Sequence, residues 1–267
     1  MFSRKIAAIA HPHHSQQFCR QLKAAGANVL GIGDALEHQL APEVRESLTE
    51  YYHVADMHDD DALVRACGYF THRYGKLDRL ESLNEYWLST EARLRDDFNI
   101  FGIRGHQIGT VRKKSKMKAA FRAAGVPVAR GAVARNVEDA RRLIAETGYP
   151  VVAKPDAGVG ALDTYRLDNE NDLAHFFAHK TDVDYIMEEF VSGTIYSFDG
   201  LADMNGDLVF FTSHRFSQGI METVNEGRHI SYHSLRDIPP ALENHGRRCL
   251  RSFGRASRWC QPASAAR

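Results

Sequence analysis

Val151-Val152-Ala153-Lys154-Pro155-Asp156-Ala157-Gly158-Val159-Gly160-Ala161, with Tyr185-Ile186-Met187-Glu188-Glu189-Phe190-Val191 following about one helix and one strand later, is the pair of segments on which the fold turns. The first is an apolar strand that runs into a lysine and a loop of small residues. A cation leaving a strand beside glycines makes a phosphate clamp, because without side chains the loop's N–H groups can approach an anion. The second is an apolar strand ending in two acids. A purine can lie along such a hinge and bond its backbone groups as an added strand would. Taken singly, the loop reads as a turn and Glu188 and Glu189 as solvated acids at a strand end. No Lys-Ser or Lys-Thr follows the glycines at the spacing of a P-loop. The order lysine, glycine loop, helix, acid-acid strand is what makes the pattern specific.

The bulk properties bound what such a cleft can serve. At 267 residues, with 43% hydrophobic side chains, the chain is long enough for about two domains with real cores. Its 34 basic residues balance 34 acidic ones, so no global field draws it to nucleic acid or an anionic membrane. After Met1-Phe2-Ser3-Arg4 the first apolar run is too short for a signal sequence, and no segment approaches a membrane span. Cys19, Cys67, Cys249 and Cys260 lack Cys-x-x-Cys spacing and read as reduced core thiols of a cytoplasmic protein. His11-Pro12-His13-His14 fits a metal site or a polar loop, and the loop is the simpler reading because no further ligands are indicated.

Residues 1 to about 110 alternate strand and helix, which predicts a small, mainly parallel sheet covered by helices. Lys5 to Ala10 and Val29 to Ile32 are strands, and between them Ser15 caps a helix with Phe18, Leu22 and Ala25 on one face. Asp59-Asp60-Asp61 opens a helix carrying Leu63, Val64, Cys67 and Phe70, and Gly75 closes it. Leu77 to Leu83 is expected as a strand and Glu85 to Leu94 as a helix. A dinucleotide site would need Gly-x-Gly-x-x-Gly after the first strand, where the chain has His11 to Ser15 instead. Gly31 and Gly33, after the second strand, read as turn residues, which speaks against an NAD enzyme.

From Arg112 the texture changes. Arg112-Lys113-Lys114-Ser115-Lys116-Met117-Lys118 opens a helix through Ala124 that ends at Gly125-Val126-Pro127. The basic run has no interleaved aromatics, which favours a solvated helix face over a nucleic-acid patch. Ala129 to Ala134 is a strand, Val137 to Thr147 a helix, Thr164 to Leu167 a return strand and Asn169 to Ala178 a helix. Ile195 to Asp203 and Leu208 to Ser213 pair through Asn205-Gly206, a strong hairpin signal. Ile220 to Leu235 is mixed. Pro239-Pro240 starts a helix with Leu242, Cys249, Leu250 and Phe253 on one face, stopped by Gly254.

This succession resembles the ATP-grasp superfamily, the group of biotin carboxylase, carbamoyl-phosphate synthetase and D-alanine–D-alanine ligase. The resemblance implies an α/β and α+β chain: a Rossmann-like domain over 1–110 and an ATP-grasp domain over 111–254, with a small lobe at 111–187, a partial second lobe at 188–254 and an unassigned tail at 255–267. It implies ATP as the ligand, with Lys114 and Lys154 on the phosphates and Gly158, Val159 and Gly160 closing over them. Glu188, Glu189, Phe190 and Val191 would take the adenine. Family members carry Asp-Lys on the helix before the Gly-Val-Pro turn; Lys114 matches that lysine, with Lys116 as the fallback, and Lys113 replaces the aspartate. Near the ribose, where several members have a glutamate, this chain has Ile195, and Asp199 takes over the contact or simply faces solvent. Intact relatives activate a carboxylate as an acyl phosphate for an amine or other nucleophile, use magnesium, and leave room for a homodimer.

One departure stands out. The family's metal-binding glutamate and Glu-x-Asn strands should follow the helix that ends at Gly254, and residues 255–267 show neither strand alternation nor a helical stripe. This leads to the expectation of a chain cut short before its metal centre, with no metal ligands, little turnover and apolar surface exposed at Leu250 and Phe253. The competing readings are a divergent C-terminus, with Glu222 and Glu226 as the first candidate ligands, and a nucleotide-binding remnant without catalysis. Polar residues at His214-Arg215-Phe216-Ser217 and from Glu222 to Arg228 are candidates to face the acceptor.

Overall fold

The computed structural model describes residues 16–158, 163–203, 205–219 and 229–253 in full, and residues 5–9 and 259–260 as backbone. The chain forms two compact units, Met1–Ile108 and Gly109–Arg267. The loop His11 to Ser15, residues 220–228 with Glu222, Glu226 and Arg228, Val159, Gly160 and Gly254 lie outside the described residues.

In the first unit, β1 (Lys5–Ile9), β2 (Asn28–Gly33), β3 (Glu50–His53) and β4 (Arg79–Glu81) make a parallel sheet in the order β3-β2-β1-β4. Val29, Leu30 and Ile32 of β2 are fully buried, the continuous apolar run expected of a strand covered on both faces. Around the sheet lie α1 (Gln16–Ala24), α2 (Pro42–Ser47), α3 (Asp60–Tyr74) and α4 (Leu88–Asp97). Asp59 caps α3 by accepting from the Ala62 N–H at 3.0 Å, and Gly75 ends it at φ +83°. The stripe Leu63, Ala66, Cys67 and Phe70 joins Leu30, Ile32 and Leu80 in the core. Burial pushes the Cys67 thiol up to about 12, so it is an inert core group at neutral pH.

Three expectations change here. The strand at Leu77–Leu83 shortens to Arg79–Glu81, because Leu83 turns the chain at φ +56°. The helix from Glu85 splits into a 3-10 turn, Glu85–Trp87, capped by Asn84, and then α4. Gly31 and Gly33 are not turn residues. They lie inside β2, where a Cβ on Gly33 would sit 2.6 Å from the Tyr51 hydroxyl oxygen and one on Gly31 2.9 Å from Leu48 and Tyr51. The glycines make room for β3, an edge strand that the sequence pattern did not announce.

The second unit begins around α5 (Gly105–Arg112) and contains two sheets. The first is antiparallel, in the order β5-β8-β6-β7, from β5 (Gly131–Ala134), β6 (Val151–Pro155), β7 (Tyr165–Leu167) and β8 (Tyr185–Glu189). Helices α7 (Val137–Thr147) and α8 (Glu170–His179) pack on it through Ala140, Leu143, Leu173 and Phe176. Asn136 and Asn169 cap them with their side chains. The strand β8 lies in the middle, so Met187 pairs with Ala132 on one side and Ala153 on the other.

The second sheet runs β11-β10-β9-β12, from β9 (Tyr196–Ala202), β10 (Leu208–Phe216), β11 (Tyr232–Ser234) and β12 (Trp259–Cys260). Asn205-Gly206 turns the β9–β10 hairpin, with Gly206 at φ +86°. The tail is not strandless: Trp259 and Cys260 pair antiparallel with Leu201 and Gly200. Backbone pairing needs no apolar alternation, which is why no pattern in residues 255–267 announces it. Helix α9 (Pro240–Ser252) packs with Gly246 on Phe198.

The expected apolar exposure at Leu250 and Phe253 is also corrected. Leu250 is buried and the Phe253 ring sits edge-on to Phe121 at 5.4 Å, because α6 (Lys114–Ala123) covers that face of α9. Exposed apolar side chains occur instead at Leu201, Val209 and Phe210. Among the described residues no helix is long and apolar enough to cross a membrane.

A Cβ at Gly246 would come within 2.3 Å of the Phe198 ring, whereas one at Gly68 in α3 meets nothing within 4 Å. Gly246→Ala is expected to destabilise the protein by about 1–3 kcal/mol, and Gly68→Ala to stabilise it by about 0.5–1 kcal/mol. Urea unfolding of both variants checks the pair, and equal midpoints would contradict the packing of α9.

Candidate functional site

The site is built where the end of β6 meets the start of α6. That helix opens on Lys114, Lys116 and Lys118, cations set against the positive end of the helix dipole, and its N-cap residue, Lys113, gives no side-chain bond. Asp156 supplies the missing cap from the loop after β6. Its side chain is buried, and it accepts from the Ser115 N–H at 2.7 Å and the Ser115 hydroxyl at 2.8 Å. The Lys114 N–H donates to the Asp156 carbonyl at 2.8 Å, and Lys113 and Ala157 form a β-bridge. Asp156 thus sets a carboxylate at the helix start, takes two of its orphan N–H groups, one on the side chain and one on the main-chain carbonyl, and fastens the glycine loop to it.

This fixes where the lysines go. The Lys114 ammonium donates to the carbonyls of Pro155 at 2.8 Å and Gly158 at 2.9 Å, lacing the loop from beneath. Gly158 stands at φ +155°, a conformation that side-chain-bearing residues rarely adopt. Lys118, one helical turn after Lys114 and so on the same face, reaches β8. Its ammonium lies 2.8 Å from Glu188 Oε1, and that of Lys154 lies 2.7 Å from Glu188 Oε2. Glu188 is only 4% exposed, so it is not a solvated acid. Its Oε1 lies against Lys118 and, among the described residues, has no further partner. Burial lowers the pKa of Lys118, against the opposing pull of Glu188.

The residues after Glu188 diverge in what they do. The Glu189 carboxylate faces β5, accepting from the Arg130 N–H at 2.9 Å and Arg130 Nε at 2.8 Å. The Glu189 N–H donates to the Arg130 carbonyl, and the Phe190 N–H to the Pro150 carbonyl. The Arg166 guanidinium lies 4.5 Å over the Phe190 ring. Among the described residues the Val191 N–H meets no acceptor. Asp199 belongs to the other sheet. Its Oδ2 accepts from the Ser197 hydroxyl at 2.6 Å and lies 3.8 Å from His214 Nε2, while Ser234 Oγ is 3.0 Å from His214 Nδ1.

Of the residues singled out in the sequence, Lys114, Lys154, Gly158 and Glu188 are brought together, Glu189 to Val191 follow directly, and Asp199 stands in a separate polar row. Lys118, Ser115 and Asp156 were missed. The i, i+4 spacing of Lys114 and Lys118 was a signal for the first, whereas the cap joins residues 41 apart and leaves no local pattern. Among the described residues no three His, Cys, Asp or Glu side chains converge as metal ligands.

Residues 113–196 match the family model of the carbamoyl-phosphate synthase L chain, ATP binding domain. The L-arginine-specific L-amino acid ligase of Bacillus subtilis is 32% identical over 104 residues, 38% of this chain and 25% of that protein. Over 95% of this chain and 61% of that one, the structure resembles the L-amino acid ligase of Bacillus licheniformis, at TM-score 0.70 and 15% identity. The biotin carboxylase domain of the Hydrogenobacter thermophilus 2-oxoglutarate carboxylase, a dimer in complex with MgADP, ADP and bicarbonate, matches over 96% of this chain and 58% of its own, at TM-score 0.69 and 18% identity. The chain therefore spans a quarter of this curated relative and about three-fifths of these solved structures.

Asp156→Ala removes the cap and leaves the Ser115 N–H without its acceptor. It is expected to cost about 2 kcal/mol of stability, and Asp156→Asn less than that. Urea unfolding of both variants checks this, and wild-type midpoints would show that the loop and α6 are held by something else.

Proposed function

The chain has the ATP-grasp fold, and on that premise we propose that its second unit binds ATP and serves a carboxylate ligase. The observation that carries the proposal is the set of lysines around the glycine loop, Lys114, Lys118 and Lys154, which outnumber the two buried carboxylates beside them, Glu188 and Asp156. In this reading Lys154, Lys114 and Gly158, with Val159 and Gly160 next in sequence, are assigned to the phosphates, and the backbone from Glu188 to Val191 to the adenine edge. Asp199, in the polar row of the second sheet, is the residue assigned to the ribose. In the reaction a substrate carboxylate oxygen attacks the terminal phosphorus, the bond to ADP breaks, and an acyl phosphate forms. An amine then attacks the acyl carbon, phosphate leaves and the amine proton passes to solvent.

The L-amino acid ligases among the relatives favour an amino-acid carboxylate with an amine nucleophile. Magnesium accompanies ADP in the Hydrogenobacter protein. Among the described residues no acidic cluster fits it. The free, buried thiols of Cys19, Cys67 and Cys249 suit a cytoplasmic setting.

Calorimetric titration with ATP, ADP, AMP, adenosine and NAD tests the binding. ATP and ADP are expected to bind and NAD not. Lys154→Ala should weaken ATP about tenfold or more while leaving adenosine unchanged. Equal weakening of both ligands would make Lys154 structural. Phosphate release with magnesium and a panel of carboxylic acids and amines separates a ligase from a nucleotide-binding module without turnover.

A further inference from the structure

We propose that Lys118 is a further anion-binding cation of this cleft and that Glu188 is its built-in counter-ion, a carboxylate with which an incoming phosphate competes for Lys118 and Lys154. The inference rests on the ATP-binding reading and adds to it a residue and a means of setting affinity. Two ammonium groups share one carboxylate at 2.8 and 2.7 Å, which leaves one positive charge over in a partly desolvated place. The side chains of Lys118 and Lys154 keep 18% and 26% exposure while Glu188 keeps 6%, so the lysines, not the acid, front the open side of the group. Lys118 is the cation beside Glu188 Oε1, and among the described residues that oxygen has no further partner. An ammonium carries three donors, so this pairing leaves donors of Lys118 for another acceptor.

Lys118 faces Glu188 from β8, Lys154 from β6 and Arg122 from its own helix. Burial and two of these three neighbours disfavour its charge, and only Glu188 supports it. An arriving phosphate supplies the missing negative charge. A strut that merely joined α6 to β8 would need one lysine and one acid. The second lysine raises the free energy of the empty site and lowers it again when an anion enters, which makes the group responsive to ligand.

The inference predicts opposite signs for two substitutions. Binding of pyrophosphate, ATP and adenosine is measured by calorimetry, and thermal unfolding by calorimetric scanning with and without pyrophosphate. Glu188→Gln is expected to melt below the wild type when empty and to bind pyrophosphate several-fold tighter, with a larger thermal shift. Lys118→Met, which keeps the length of the side chain, is expected to melt at or above the wild type and to bind pyrophosphate and ATP about tenfold more weakly, with adenosine unchanged. If Glu188→Gln binds pyrophosphate no better, or Lys118→Met loses nothing, the inference is overturned, and the ATP reading stands provided the wild type binds ATP. If the wild type binds neither ATP nor pyrophosphate, both fall. Should Glu188→Gln not fold, Lys118→Met alone decides.

Discussion

A buried aspartate holds this site together. Helix α6 begins with a run of lysines, the sequence least suited to a helix N-terminus, and without an anion there its first turn would be both uncapped and electrostatically opposed. Asp156 answers both problems at once through Ser115. Because Asp156 directly follows β6, the capping also brings the glycine loop against the helix and sets the rotation of α6. That rotation decides which lysines point where. Lys114 meets the carbonyls of the loop and Lys118, a turn later, meets the strand beyond it. The basic run that looked like a solvated face is the structural partner of the loop.

The second constraint comes from the position of β8. A strand in the middle of a sheet, with its side chains buried, has no place for an unpaired carboxylate, and Glu188 is tolerable there only because two cations, Lys154 and Lys118, approach it. Those cations arrive from β6 and α6, the two elements that Asp156 joins. The cap and the buried carboxylate are therefore coupled: loosening α6 from the loop would move Lys118 away from Glu188. The residues proposed to face the phosphates thus draw on the same few charges as the fold, and Lys154, Lys118 and Glu188 sit on packed strands and a helix and not on a long loop.

Much of the architecture was legible locally. Helix α7 runs over the expected residues because Asn136 supplies the cap and Gly148 the stop, and the β9–β10 hairpin follows from Asn205-Gly206. Helix α3 could be read from Asp59 and Gly75 for the same reason. The features that escaped depend on partners distant in sequence. Strand β3 is short and half exposed, and only the close fit of Tyr51 over Gly31 and Gly33 explains why two glycines occupy a strand. The burial of Leu250 and the seating of Phe253 on Phe121 required knowing that α6 packs on α9. In the site, Lys154, the glycine loop and the acid pair formed a visible order. The choice of Lys118 and Lys154 as the partners of Glu188 is a product of tertiary packing that no spacing rule encodes.

The central claim is that one continuous cleft surface, made by the start of α6, the loop after β6 and the end of β8, receives a nucleotide. Amide hydrogen exchange of the whole chain with and without ADP tests it most directly. Binding is expected to slow exchange in three segments together, residues 113–118, 156–160 and 188–191, with the Val191 amide changing most because it meets no acceptor among the described residues. Protection confined to other parts of the chain, or no protection at saturating ADP, would contradict the account.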